Sequence, residues 1–164
     1  MKLNLGCGRE HLEGWINIDR VKDDAVDLIH DLNTRLPFDD NSVDEILASH
    51  VFEHILYWED LLHECHRILK PSSIITIKVP YGFSPSIGHL RYFYPYTLDG
   101  FTDQWTNDNS LQVKPLFKSI KRRINRDFPF AWHMKKYFNI NLPKHCFIGK
   151  YGEIVWVLKK LEVK

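Results

Sequence analysis

The chain has 164 residues, of which 44% are hydrophobic and 26% are charged. This length and composition are typical of a folded domain with a sizeable core, and they exclude an intrinsically disordered protein. No apolar run approaches the roughly 20 residues that a transmembrane helix needs, so we expect neither a membrane span nor a signal peptide. The three cysteines are an odd number without paired spacing, which favours reduced thiols and a cytoplasmic location.

Charge is distributed unevenly along the chain, although the net charge is only +1. Residues 1–64 contain 5 Lys or Arg against 15 Asp or Glu, whereas residues 65–164 contain 17 against 6. The basic residues are most concentrated from Lys114 to Lys136, where eight Lys or Arg accompany a single acid. Such a segment fits an anionic partner, and a solvated basic face without a partner is an equally good interpretation.

The first half of the chain alternates short apolar segments with polar turns. A helix is predicted from Tyr57 to Leu69, because its apolar residues recur at helical spacing and Pro71 follows. Strands separated by helices imply parallel pairing, so this half predicts an α/β fold with a parallel sheet. The strands are predicted at Lys2–Leu5, Trp15–Ile18, Val26–His30, Val43–Ser49 and Ser73–Val79.

The second half has a less regular pattern. Tyr81 to Tyr96 is rich in aromatic residues, glycine and proline, and predicts a loop, after which Thr97 could cap a short helix reaching Trp105. A further helix is predicted from Leu116 to Arg126, with its apolar residues on one side. The last predicted element is an antiparallel hairpin, formed by Cys146–Ile148 and Ile154–Leu158 around a turn at residues 150–152.

A glycine-containing loop directly follows the first strand. Gly6-Cys7-Gly8 allows backbone amides to approach a ligand closely, because glycine has no Cβ. The next strand ends at Asp19, whose carboxylate can accept hydrogen bonds from two ribose hydroxyls. Both features lie at the carboxyl edge of the predicted parallel sheet, where open α/β sheets bind ligands.

Four motifs in succession resemble those of the class I S-adenosylmethionine (SAM)-dependent methyltransferases, especially the small bacterial type-11-like enzymes. They stand at Leu3–Gly8, Gly14–Asp19, Leu36–His54 and Glu64–Pro71, so the resemblance covers roughly the first half of the chain. It implies a Rossmann-like fold with a mostly parallel central sheet and a C-terminal antiparallel hairpin. We expect one domain over residues 1–164, with the SAM-binding half in residues 1–80 and the acceptor side in residues 81–164.

The resemblance also implies where SAM binds. The two glycines of the loop approach its methionine part, and Asp19 holds the ribose. Asp31 and Leu32 contact the adenine, and Ser49 borders the methyl group together with His50. The implied cofactor-binding residues are Leu5, Gly6, Cys7, Gly8, Asp19, Asp31, Leu32 and Ser49.

The chain departs from the family pattern between the first two strands. Only residues 9–14 separate the glycine loop from the second strand, which is too short for the usual helix of about 11 residues. We therefore expect a shortened first helix. The loop also lacks the final glycine of GxGxxG, which argues against a dinucleotide cofactor.

Several residues are candidates for the acceptor side of the site. His50 is the candidate base by position, because histidine titrates near neutral pH, and His89 is a second catalytic candidate. Glu53, His54 and Arg91 are candidate substrate-binding residues. Residues 50–54 also match the H-x-x-E-H pattern of inverted zinc peptidases, but no third ligand is evident, so we expect no bound metal.

The sequence thus predicts a SAM-dependent methyltransferase that acts on a small-molecule or glycan acceptor, which could be anionic. One alternative is a protein that binds SAM without catalysing methyl transfer. Another is a module that binds RNA or a membrane surface through the basic second half, where aromatic residues such as Phe128 and Trp132 are interleaved with the charges.

Overall fold

A computed structural model describes residues 1–82, 88–104, 114–125 and 152–162 of the chain. These residues form one α-helix and seven strands, with single turns of 3-10 helix at Phe52–His54 and Asp99–Phe101. In chain order the elements are β1 (Lys2–Leu5), β2 (Ile16–Asp19), β3 (Leu28–Ile29), β4 (Val43–Ser49), α1 (Trp58–Ile68), β5 (Leu69–Pro80), β6 (Phe117–Asn125) and β7 (Glu153–Lys160).

The strands form one twisted sheet in the order β3-β2-β1-β4-β5-β7-β6. Neighbouring strands from β3 to β5 are parallel, and β7 pairs antiparallel with both β5 and β6. The predicted Rossmann-like fold with a mostly parallel sheet is therefore confirmed. Strands of both halves belong to this sheet, since β5 pairs with β7, and the single-domain organisation stays a prediction.

The strongest sequence patterns are reproduced almost to the residue. β1 and β4 have the predicted bounds, and Leu3, Leu5 and Ile46 are fully buried. The apolar stripe of α1 packs into the same core, with Leu62, Cys65 and Ile68 at 0% exposure. β5 begins directly after this helix at Leu69, so Pro71 lies within the strand and does not mark the end of the helix.

The connection between β1 and β2 contains no helix, so the expected shortened first helix is absent from these described residues. Two buried asparagines hold the loop instead. Asn4 Nδ2 donates to Asn17 Oδ1 and to the Glu10 carbonyl, while Asn17 Oδ1 accepts from the Leu12 amide. The Cys7 amide donates to the Ile18 carbonyl, which fastens the glycine loop to β2.

The helix predicted from Leu116 to Arg126 is wrong, because residues 117–125 form strand β6. A register shift between Ser119 and Lys121 displaces the inward-facing positions by one residue. Ile120 is the extra, unpaired residue of this bulge, so the spacings of three and four between Phe117, Ile120 and Ile124 imitate a helix although Ile120 does not face inward. Ile120 is consequently 52% exposed and does not pack with Phe117, which is fully buried.

Two smaller predictions are also corrected. Thr97 caps no helix: a single 3-10 turn starts after Leu98 without a side-chain cap, and Trp105 lies outside the described residues. Of the predicted hairpin, the strand ending near Leu158 is confirmed as β7, and Cys146–Ile148 lies outside the described residues. The strand expected at Val26–His30 is reduced to two residues.

No described helix is both long and apolar enough to cross a bilayer.

Candidate functional site

A cavity of about 600 Å³ opens at the carboxyl edge of the parallel strands. Its walls come from the loops that follow β1, β2, β3 and β4, together with the segment at Gly88 and Leu90. Six of the sequence-predicted site residues line it: Gly6, Asp19, Asp31, Leu32, His50 and His54. The structure therefore brings the three predicted cofactor-binding loops and part of the predicted acceptor side into one space.

Gly6 and Gly8 both adopt left-handed backbone conformations, with φ values of +62° and +55°. A Cβ on Gly6 would lie 2.5 Å from Val51 Cγ2, so the absence of a side chain permits close packing at the cavity wall. Around Gly8 no atom lies within 4 Å of such a Cβ, and only the backbone angle favours glycine there. The two glycines are thus required for different physical reasons.

Asp19 stands at the tip of β2 with its carboxylate facing the cavity. Oδ2 accepts a hydrogen bond from the Gly8 amide at 2.9 Å, and Oδ1 accepts from the Val21 amide at 3.0 Å. These bonds fix the orientation of the carboxylate. Each oxygen retains a further lone pair, so the group can still accept from two vicinal hydroxyls.

The loop after β3 is ordered around Asp31. Its Oδ1 accepts from both the amide and the side chain of Asn33 at 2.9 Å, and these bonds lower the pKa of the carboxyl. Asn33 Oδ1 in turn accepts from the Leu56 amide, which connects this loop to the segment before α1. Leu32, only 7% exposed, supplies an apolar surface beside these polar groups. The loop thus offers a flat apolar contact next to hydrogen-bonding groups, as an adenine ring requires.

Four predicted cofactor residues do not line the cavity. Leu5 is fully buried in β1, and Cys7 is 7% exposed beneath the loop, where burial raises the pKa of its thiol. Gly8 acts through its amide, which orients Asp19. Ser49 ends β4 without forming part of the wall. Their predicted contacts with the cofactor stay predictions.

His50 follows β4 in an unusual conformation, with φ at +56°. Its ring lies between two carboxylates: Nδ1 is 3.3 Å from Glu53 Oε1, and Nε2 is 3.4 Å from Glu153 Oε2. The contact with Glu53 is the main reason that the pKa of His50 is raised. The environment consequently favours the imidazolium form, so less of the neutral ring is available to take a proton than the position of His50 alone suggested.

The remaining acceptor-side candidates are Glu53, His54, His89 and Arg91. Glu53 is 1% exposed, and its carbonyl accepts from the amides of Leu90 and Arg91. His54 and His89 stack edge to face with ring centroids 4.9 Å apart. The Arg91 guanidinium donates to the carbonyls of Leu90 and Leu56, so in this structure it braces the backbone of the cavity rim.

Sequence reasoning missed several residues of the cavity wall. Some directly follow the ends of β2 and β3, and a count of residues beyond each strand tip could have found them. Others, such as Ile55 and Leu90, come to the wall only through the tertiary fold. The additional wall residues are Arg20, Val21, His30, Asn33, Val51, Ile55, Gly88 and Leu90.

Comparison with known proteins agrees with this geometry. Residues 10–77 match a family model described as a methyltransferase domain. The matched segment, 68 of the 164 residues, is therefore similar to that domain, and it includes β2, β3, β4, α1 and most of β5. A probable SAM-dependent methyltransferase of Mycolicibacterium smegmatis is 30% identical over 89 residues, which are 54% of this chain and 35% of that relative. The chain thus spans about a third of the length of this curated relative.

Two solved structures show the same fold at low sequence identity. A putative methyltransferase from Bacillus halodurans is 11% identical, with a TM-score of 0.64 over 98% of this chain and 92% of that chain. The 1,6-didemethyltoxoflavin-N1-methyltransferase of Burkholderia thailandensis is 13% identical, with a TM-score of 0.60 over 98% of this chain and 71% of that chain. The latter was solved with S-adenosylhomocysteine and 1,6-didemethyltoxoflavin bound.

The cavity meets the chemical requirements of SAM. The ribose of SAM needs two hydrogen-bond acceptors, which the Asp19 carboxylate provides. The methionine part needs to come close to the backbone, which the lack of a side chain at Gly6 allows. SAM carries no phosphate, so the missing first helix removes no phosphate site. The residues present therefore fit the cofactor of the family.

Proposed function

We propose that this protein transfers a methyl group from SAM to a nucleophilic atom of a small-molecule or glycan acceptor. The observation that carries the proposal is the fixed carboxylate of Asp19, which faces a cavity at the carboxyl edge of the sheet beside the narrow Gly6 turn. SAM would supply a methyl group activated by its sulfonium: the bond from the acceptor atom to the methyl carbon would form as the carbon–sulfur bond breaks, and S-adenosylhomocysteine would leave with the bonding electrons.

Positioning is the main contribution that the protein itself makes to such a displacement. The loops after β1, β2 and β3 hold the donor, and the segment around His50, His54 and Leu90 covers the opposite part of the cavity. Both ring nitrogens of His50 face carboxylates, so we infer that His50 holds the cavity wall after β4 in place and does not act as the base. An acceptor that must lose a proton would then pass it to solvent or to another group.

We expect a polar acceptor, because His50, His54 and Arg20 line the cavity. An anionic acceptor is compatible with the basic second half, where Lys118, Lys121 and Arg123 are exposed on β6. Cys7 and Cys65 are free thiols, in keeping with the predicted cytoplasmic location, which stays a prediction.

The test is whether the protein both binds the donor and turns it over. Calorimetry with S-adenosylhomocysteine should show binding by the folded wild-type protein. Incubation of methyl-labelled SAM with fractionated small-molecule and glycan pools should then transfer label to one fraction. Absence of binding at millimolar ligand would refute the proposal, whereas binding without transfer to any pool would favour the alternative of a SAM-binding protein without catalysis.

A further inference from the structure

Glu53 is a buried carboxylate whose charge is incompletely compensated. Its side chain is 1% exposed, and neither carboxylate oxygen has a hydrogen-bond partner among the described residues. His50 is the described ion-pair partner of Glu53, and the same ring also faces Glu153. Burial of an ionised group is costly unless it is paired or coordinates a cation, so a second positive charge would stabilise this arrangement.

One ring nitrogen of His54 lies within 4.8 Å of a carboxylate oxygen of Glu53. Its Nδ1 lies 2.9 Å from the Gly88 carbonyl oxygen, which can only accept, so Nδ1 carries the proton and donates. In a neutral ring the lone pair is then on Nε2. Metal-binding histidines typically donate their other ring nitrogen to a backbone carbonyl in this way, because the bond fixes the tautomer and the ring orientation.

His89 completes the group from a distant part of the chain. It lies half-buried, with its ring against the ring of His54. One ligand atom each from Glu53, His54 and His89 lies within 4.8 Å of the others. Tetrahedral ligands at about 2.1 Å from a metal are about 3.4 Å apart, so modest side-chain movement would bring them together.

We propose that Glu53, His54 and His89 bind a divalent first-row transition-metal ion at the edge of the cavity. Two imidazoles and one carboxylate favour ions such as Zn²⁺, Co²⁺ or Fe²⁺ over Mg²⁺ and Ca²⁺, which prefer oxygen ligands. The expectation of no metal depended on the lack of a third ligand in the sequence, and the fold brings one from 35 residues further along the chain. Binding of the ion does not depend on methyl transfer.

This site differs from the metal site suggested by the H-x-x-E-H pattern. That pattern needs His50 and His54 one turn apart on an α-helix, but a 3-10 turn begins only at Phe52 and the ring of His50 faces two carboxylates. His54 and Gly88 also line the cavity, whereas Glu53 lies behind them. A bound ion would thus hold Glu53 and present its remaining coordination positions towards the cavity.

The experiment measures binding of Zn²⁺ and Co²⁺ to tag-free protein by calorimetry and by the visible spectrum of the Co²⁺ complex. We expect one ion per chain, with affinity reduced at least about tenfold in Glu53→Gln, His54→Ala and His89→Ala. His63→Ala is the matched control, because this exposed histidine lies on α1 away from the cluster. Thermal unfolding without metal checks that each variant is folded.

Three results would overturn the proposal. One is that wild-type protein binds neither ion. Another is that both Glu53→Gln and His89→Ala bind as tightly as wild type, which would place the ion elsewhere. The third is loss of binding in His50→Ala with retention in His89→Ala, which would assign the ion to the H-x-x-E-H pair. If Glu53→Gln fails to fold, His89→Ala decides, since its side chain comes from the loop segment.

Discussion

Replacing Asp19 with alanine removes the cavity carboxylate that we propose binds the ribose of SAM. The side chain is held by the Gly8 and Val21 amides, so in the wild-type protein it is already oriented before a ligand arrives. The substitution deletes both remaining acceptor positions at once. It also removes the acceptors of the Gly8 and Val21 amides, whereas the pairing of β2 with β1 and β3 involves backbone atoms only.

The size of the effect follows from the number of bonds lost and from the exposure of the site. A hydrogen bond to a charged group contributes about 1.5–3 kcal/mol, and two such bonds are available to the ribose. Asp19 is half-buried, so water would replace part of what is lost. We therefore expect Asp19→Ala to weaken binding by about 1.5–3 kcal/mol, which is roughly 10- to 150-fold in Kd.

Calorimetry with S-adenosylhomocysteine measures this directly. Asp23→Ala is the matched control, because Asp23 also accepts a backbone amide, that of Ala25 at 3.1 Å, but does not line the cavity. We expect the control to bind as wild type does. A loss in Asp19→Ala below about threefold, less than 1 kcal/mol, would show that the ribose is held elsewhere or not at all.

The remaining predictions concern backbone strain, pH and charge. Gly6→Ala should lower the unfolding temperature more than Gly8→Ala, since the two share a positive φ but only Gly6 would also clash; equal shifts would contradict this. The hydrogen bond from Arg67 lowers the pKa of Glu64. This pair therefore stabilises the fold above about pH 4.5, and its contribution is lost as the pH falls. Glu64→Gln should make the unfolding free energy depend less on pH in the acid range. An anionic partner that binds β6 should bind less tightly at high salt, and the Lys121→Glu/Arg123→Glu variant should not bind it. Unchanged binding by that variant would show that these charges only contact solvent.

The accuracy of the sequence predictions depended on how local the signal was. In β4 and α1 the apolar residues recur at the spacing of a strand and of a helix along the whole element, so the bounds of each could be predicted from its own residues. β6 was mistaken for a helix because its bulge disturbs the two-residue period. The absent first helix was only partly foreseen: the short spacing showed that a full helix could not fit, but the hydrogen bonds of Asn4 and Asn17 that replace it are visible only in the fold.

In the candidate site, too, local features were predicted and contacts between distant segments were not. Asp19 and Gly6 were predicted because a strand end and a glycine turn are local features that a parallel sheet brings to one edge. The approach of His89 to His54 depends on where the segment after β5 crosses the turn after β4. Pairwise spacing in the sequence cannot show this, so the sequence predicted His89 as a catalytic candidate and Glu53 and His54 as substrate-binding candidates, without a shared site.

The position of β6 has a consequence for how copies of this protein meet one another. β6 is the last strand of the sheet in the described residues, and an uncovered last strand can pair with a strand of another molecule. Its beginning is covered, because the Asp103 amide donates to the Phe117 carbonyl and Asp103 Oδ1 accepts from the Ser119 amide. Beyond that point the bulge bends the strand, and exposed Lys121 and Arg123 would repel an identical edge. The same positive charges that suggest an anionic ligand therefore also protect the protein against edge-to-edge aggregation.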